Sequence, residues 1–330
     1  MKINLSQILQ TLKKWETDYT PSIYLSRIFG YALSSTYFVF NSFDMKKTRE
    51  FTRKKNYFVF KKNELIKKHN KFFDDQFNNK FLKEDIYDFN GVYLPKTENI
   101  GLIRNVYSDT LKIYTEKKDN YNYHIVDEMD KTLPEGSYCY IGPNGEDITI
   151  KPGYNVIDAG AWIGDFSAYA SKKGAHSYAF EPSPINIKFL EKTVKYNRGN
   201  GGVITIVPYG LGDREEDVGF IENDEYDNSG GSSFDIPKGR DSHMHLHVTT
   251  IDSWIKKNNI GKIDFIKADI EGYERKMLKG AEKTLKEHEP ILSICTYHYP
   301  DDPQVLRDII IKANPKYKII QRKKKLFAYV

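Results

Sequence analysis

The sequence predicts an α/β protein built on a mostly parallel sheet, preceded by a smaller and mainly helical N-terminal region. Three observations lead there. From about residue 140, short apolar runs alternate with helical patterns. Two of those runs end in an acidic residue followed by a bend, at Asp158 and Glu181. The closing residues 317–330, YKIIQRKKKLFAYV, read as a hairpin. Alternation of this kind predicts parallel strands covered on both faces, and the hairpin adds an antiparallel edge.

The elements follow in order. Residues 138–150, YCYIGPNGEDITI, turn around Pro143, Asn144 and Gly145 as a hairpin. VIDAG reads as a strand, DFSAYASKKG as a helix, SYAFEP as a strand and PINIKFLEKTVKYN as a helix. ITIVPYGLGD is a third strand. Residues 215–247 break the rhythm with an acidic stretch, a Gly-Gly-Ser-Ser segment ending in Ser232 and Ser233, and a histidine-rich run. Alternation resumes with TIDSWIKKNN, the strand IDFIKADIEG, the helix YERKMLKGAEKTLKEH, the strand PILSICTYHY and the helix PQVLRDIIIKANP.

Composition bounds the function. The chain of 330 residues can bury a sizeable core and suggests about two domains. Apolar residues at 39% and charged residues at 29% fit a globular protein rather than a disordered one. A net charge of +5 is too small to read the whole chain as a nucleic-acid binder. Cys139 and Cys295 make neither a metal pattern nor a disulfide framework, which predicts a reducing, cytoplasmic compartment. No signal peptide is expected, and Ile28 to Phe40 is too short and polar to span a bilayer. Residues 46–71 carry eleven basic residues against Glu50 and Glu64, a net +9. Such a run reads as a solvated face or as a contact for an anionic surface, either membrane lipid or a phosphorylated carrier.

The bend after Asp158 poses the first chemical choice. Strand ends in an open α/β sheet hold ligands, and Asp158, Gly160 and Gly164 belong there. A dinucleotide fingerprint reads G-x-G-x-x-G. Here the stretch is D-A-G-A-W-I-G, with Trp162 where the second glycine belongs. A carboxylate beside a pyrophosphate at roughly 4 Å costs about 4 kcal/mol at an effective dielectric near 20. A cationic ligand without phosphate, such as S-adenosylmethionine, reverses that sign. Glu181, ending the next strand, is placed to accept from both ribose hydroxyls. Asp158 reads otherwise as a helix N-cap, and Glu181 as a plain strand terminus.

Four blocks carry a resemblance. D-A-G-A-W-I-G-D-F-S, F-E-P-S-P, Y-G-L-G-D and K-A-D-I-E-G-Y-E resemble the FkbM-type S-adenosylmethionine-dependent methyltransferases, over roughly residues 140–330. The stretch from Thr250-Ile251-Asp252 through residues 264–272 to Gly280-Ala281 is the most specific part. Tyr297-His298 resembles a Y-H pair found in part of the family. The resemblance implies a seven-stranded Rossmann-like class I methyltransferase fold and S-adenosylmethionine as donor. It also implies O-methylation of a sugar or another small hydroxylated compound. Carried over by position, it places Asp158, Gly160, Ala161 and Gly164 around the methionine moiety and Glu181 with Pro182 at the ribose. Leu211 and Asp213 then border the adenine. On residues 1–110 the resemblance is silent; they are read as an accessory region for substrate or dimerisation, ahead of a methyltransferase domain, 111–330, with a lid-like insertion at 215–247.

Methyl transfer to a hydroxyl needs alignment and a base. Lys267, Asp269 and Glu271 recur at every second position, so they share one face if the strand continues. They read as catalytic groups or as a buried network that fixes the loop. His298, ending the next strand, reads as base or substrate clamp. Which group takes the proton stays open. His243, His245 and His247 also share a strand face, yet their place in the insertion favours chance over a metal site, and no metal is assigned. Asp269 and Glu271 offer an alternative magnesium site that nothing in the sequence requires. Ser232 or Ser233 is a candidate substrate contact. Two rival functions remain: an NAD-linked oxidoreductase, and a basic adaptor with a vestigial cofactor pocket.

Overall fold

The computed structural model describes residues 75, 77–97, 103, 137–222, 232–234, 241–242 and 244–330. The chain separates into two units, Met1–Lys80 and Phe81–Val330. The division lies upstream of residue 110, and the elements described belong to the second unit. The basic run 46–71 lies outside the described residues, as do His243 and much of the insertion.

Residues 82–95 form a meander of three strands, β1 (Leu82–Lys83), β2 (Ile86–Asp88) and β3 (Tyr93–Pro95). It continues into the sheet domain: Asn197 exchanges hydrogen bonds with the Tyr93 backbone, and Asn200 donates to Gly91 O at 2.9 Å. The expected hairpin at 138–150 is present as β4 (Tyr140–Ile141) and β5 (Asp147–Ile148).

The main sheet has seven strands. Five are parallel: β6 (Asn155–Ala159), β7 (His176–Phe180), β8 (Val203–Val207), β12 (Phe265–Ala268) and β13 (Ile291–Cys295). The closing hairpin supplies β14 (Lys318–Arg322) and β15 (Lys325–Tyr329), giving the order β14-β15-β13-β12-β6-β7-β8. The antiparallel strand is therefore not the edge. β15 inserts beside β13, because Leu326, Phe327 and Ala328 are apolar toward both faces and at most 2% exposed. β14, whose sequence KIIQR is half polar, takes the edge. Between β9 (Gly210–Leu211) and the next helix, the insertion adds β10 (Glu216–Phe220) and β11 (Met244–Thr249), which join β9 in a small sheet.

Helices cover both faces. Packing against Ile157, Ala159, Ile266, Ala268, Leu292 and Ile294 are α3 (Ile251–Asn258), α4 (Glu274–Lys279), α5 (Glu282–Glu287) and α6 (Asp302–Ala313). The stretch 273–288, read as one helix, is two. Gly280 separates them, where a Cβ would stand 2.0 Å from Gly212 O. The opposite face carries α1 (Asp165–Lys172) and α2 (Pro184–Tyr196). Ser183 caps α2 by accepting from Asn186 N, ahead of Pro184, and Thr250 caps α3 by accepting from Ser253 N. Strand order reverses between β6 and β12, so a crevice opens at their carboxyl ends.

Candidate active site

Two linked sites occupy that crevice. The first surrounds the bend after β6. Register pairs Asp158 directly with Lys267 on β12, on the same sheet face. Asp158 is fully buried, and Lys267 Nζ lies 3.0 Å from its Oδ1 while Ser167 Oγ donates to its Oδ2 at 2.7 Å. Lys267 also donates to Gly160 O at 2.7 Å. Burial works against the Lys267 charge, but Asp158, Asp269 and Asp165 outweigh it and raise its pKa. The pair has no net charge, so Asp158 alone does not discriminate against phosphate. Nor does it cap α1, whose N-cap is Gly164.

The backbone supplies the discrimination instead. Gly160 N and Ala161 N both donate to Phe180 O, Gly164 N donates to Ala161 O, and Trp162 N donates to Glu181 Oε2 at 2.8 Å. A pyrophosphate needs free amides at such a bend, and these are committed.

Glu181 is 5% exposed. Its Oε1 accepts from Ser183 N at 2.9 Å and from Asn186 Nδ2 at 3.3 Å. With Trp162 N on Oε2, three of a carboxylate's roughly four acceptor sites are filled. That leaves room for one further strong donor, rather than two, unless the long Asn186 bond gives way. Burial pushes the Glu181 carboxyl up to about 7, against those three donors and the Lys267 charge. Beside it, a cleft is lined by Gly160, Pro182, Tyr209, Leu211, Phe234 and Tyr273, among others. Phe234 packs on Phe220 and Tyr273, with ring centroids 4.9 and 5.4 Å away. The described part of the insertion therefore walls this cleft.

Other expected cofactor residues stand apart from it. Gly164 supports packing: a Cβ there would meet Leu190 Cδ1 at 2.5 Å. Ala161 sits in a small cluster with Ala179 and Leu190. Asp213 is exposed and does not line the cleft.

The second site lies at the ends of β12 and β13. β12 stops at Ala268, and Glu271 takes a left-handed backbone (φ 52°). The every-second-residue face therefore does not extend to Glu271. Even so, the turn brings Glu271 close to Asp269 and to His298, at 3.4 and 3.6 Å from His298 Nε2. Tyr138 and Tyr297 donate to Asp269 Oδ2 and Oδ1 at 2.7 and 2.9 Å. Lys325 and Lys267 lie over the Tyr138 ring at 4.2 and 5.3 Å. Burial works against the Asp269 charge, yet the two lysines, Tyr138 and His298 hold its pKa below the ordinary value. Glu274, fully buried, accepts from Ile270 N and Gly272 N and faces His298 Nδ1 at 3.2 Å. Burial lowers the His298 pKa, but Glu271, Glu274 and Asp269 prevail and push it up to about 10. Ser233 Oγ donates to Glu271 O at 2.9 Å.

Tyr138, Glu274 and Phe234 were not expected as site residues. Tyr138 stands in the sequence only as the first residue of the expected hairpin, and Glu274 only inside the K-A-D-I-E-G-Y-E block. The described histidines of the insertion make no cluster with these groups: His247 faces Asp217 and Tyr209.

Residues 158–317 match the family model of the methyltransferase FkbM domain. This stretch is an FkbM methyltransferase domain. No curated protein sequence matches the chain. Among solved structures, it is similar to the FkbM methyltransferase of Methylobacillus flagellatus KT, at 20% identity over 81% of this chain and 60% of that one, with a TM-score of 0.44. It is also similar to precorrin-6y C5,15-methyltransferase of Geobacter metallireducens GS-15, at 13% identity over 55% and 82% of the two chains, TM-score 0.33. A third is Aeropyrum pernix fibrillarin with bound S-adenosyl-L-methionine, at 9% identity over 56% and 69%, TM-score 0.34.

The methyl donor of the FkbM domain is S-adenosylmethionine, and the residues present fit it. The cleft offers apolar and aromatic walls for a purine, Glu181 retains one acceptor site for a ribose hydroxyl, and the amides of Gly160, Ala161, Trp162 and Gly164 are already committed within the protein. No described helix is long and apolar enough to cross a membrane.

Proposed function

We propose that this chain is an S-adenosylmethionine-dependent O-methyltransferase acting on a hydroxyl of a sugar or glycan precursor. The observation that carries this reading is the cluster of Asp269, Glu271 and His298, placed beside the aromatic cleft at the ends of neighbouring parallel strands. The cofactor, when bound, supplies an electrophilic methyl on a cationic sulfur. The chain's own residues bind and orient. Glu181, held by Trp162 N and Ser183 N, accepts a ribose hydroxyl, while Leu211, Pro182 and Tyr209 line the cleft beside it. Asp158 and Lys267 fix the bend through the Gly160 carbonyl rather than touching the acceptor.

The polar cluster suits an acceptor rich in hydroxyls. His298 carries its proton at neutral pH and can donate to an acceptor oxygen. Asp269 is pinned by two tyrosine hydroxyls and held below the ordinary carboxylate pKa, which makes it the weaker base, and Glu271, one third exposed, is the base for the acceptor proton. Such a base contributes about 10²–10⁴-fold. The buried free thiols Cys139 and Cys295 support a reducing, cytoplasmic setting. Contact with an anionic carrier through 46–71, and a homodimer, belong to the same reading.

Calorimetry with S-adenosylhomocysteine, followed by isotopic methyl transfer to a panel of sugars and nucleotide-sugars, tests it. Micromolar binding that NADH does not displace, together with a labelled sugar product, is the expected result. A folded protein that fails to bind S-adenosylhomocysteine overturns the cofactor reading. Binding with transfer only to non-hydroxyl acceptors overturns the O-methyl reading.

A further inference from the structure

Among the described residues, Asp269, Glu271 and His298 offer three ligand atoms within 4.8 Å of one another. We infer that these side chains form a site for one first-row divalent cation, such as Mn²⁺, at the mouth of the cofactor cleft. The cation's role in methyl transfer rests on the proposed function; its binding does not.

Four features argue for an ion. The His298 side chain is only 8% exposed, yet neither ring nitrogen makes a hydrogen bond. A charge-assisted pair closes to about 2.7–2.9 Å. Here Nε2 stands 3.4 Å from Glu271 and 3.6 Å from Asp269. Two ligands of one metal, each at about 2.0–2.2 Å, are separated by roughly 3–3.6 Å, which matches.

Secondly, Glu274 stands behind the ring. It is anchored by two backbone amides and faces Nδ1 at 3.2 Å. A ligating histidine almost always turns its other nitrogen to such a carboxylate or carbonyl, which fixes the tautomer. Without a cation the His298 ring holds protons on both nitrogens, and the metal takes the place of the Nε2 proton, which is released to solvent. Thirdly, Tyr138 and Tyr297 hold the Asp269 carboxylate in place, and Oδ1 keeps a lone pair on the His298 side.

Lastly, the donor set has the right chemistry. Two carboxylates and one imidazole suit Mn²⁺ or a similar borderline cation better than Mg²⁺, which prefers oxygen alone. Three protein ligands leave open positions on the cleft side. An acceptor hydroxyl bound there would lose its proton more readily and would be held beside the cofactor cleft. The second Glu271 oxygen remains available for that proton.

The test uses the full chain after chelator treatment. Mn²⁺ is titrated by electron paramagnetic resonance, and S-adenosylhomocysteine by calorimetry on the same samples, with circular dichroism as the check on folding. The expectation is one Mn²⁺ per chain, weakened at least tenfold in His298→Ala and in Glu271→Gln, and unchanged in His247→Ala. S-adenosylhomocysteine binding persists in all three variants. No stoichiometric Mn²⁺ binding by the folded protein, or binding that survives both substitutions in the cluster, overturns the inference. Loss of S-adenosylhomocysteine binding with Mn²⁺ binding intact counts against the cofactor reading alone.

Discussion

Glu181 makes the cofactor site sensitive to pH. Its carboxyl is pushed up to about 7 in the free protein, because burial outweighs the hydrogen bonds from Ser183, Asn186 and Trp162. A ribose hydroxyl bonds far more strongly to the ionised form as acceptor. At pH 6 about one chain in ten carries that form, and at pH 8 about nine in ten. Affinity for S-adenosylhomocysteine should therefore rise about tenfold between pH 6 and pH 8, about 1.4 kcal/mol. Asp165, pushed up to about 6, titrates at the low end of this window. Glu181→Gln isolates the share that belongs to Glu181. It removes the titration and replaces a charged acceptor by a neutral one, which costs about 1.5–3 kcal/mol of binding. The assay is calorimetric titration at pH 6, 7 and 8 on both proteins. A wild-type affinity constant within twofold across that range refutes the reasoning. So does a slope of equal size in Glu181→Gln.

Further expectations come from the same geometry. Lys267→Met leaves the fully buried Asp158 without its cation, and should cost about 3–5 kcal/mol in denaturant unfolding. A loss below about 1 kcal/mol would mean that water reaches the pair. Gly160 has φ +73°, and a Cβ there would lie 2.0 Å from Asp269 O, so Gly160→Ala should spread β6 from β12 and weaken S-adenosylhomocysteine at least tenfold by calorimetry. The free protein should also lose stability as pH rises from about 5 to 7.5. The folded state holds protons on Glu181 and Asp165 that the unfolded chain, with ordinary carboxyl pKa values, has already released. The Glu181 share is about 2–3 kcal/mol, or several degrees in a thermal melt, and Glu181→Gln should flatten the curve.

Local pattern was enough for much of this protein. Strands such as NVIDA and FIKA are dominated by Val, Ile, Phe and Ala and are buried along nearly their whole length, which marks them as interior parallel strands. The bend after Asp158 and the acid ending β7 were legible because a tight turn and a strand end each leave their own residues in sequence. Tertiary structure decided what those residues do. Register set Lys267 against Asp158 and turned a supposed anionic lure for a cation into a neutral pair. The insertion of β15 beside β13 brought Lys325 over Tyr138, whose hydroxyl reaches Asp269 from 131 positions away. Glu271 meets His298 through a left-handed turn that its spacing from Asp269 did not announce. Periodicity records which face of an element is apolar. It does not record which distant element lies against that face, and charge state, orientation and ligand geometry all depend on that neighbour.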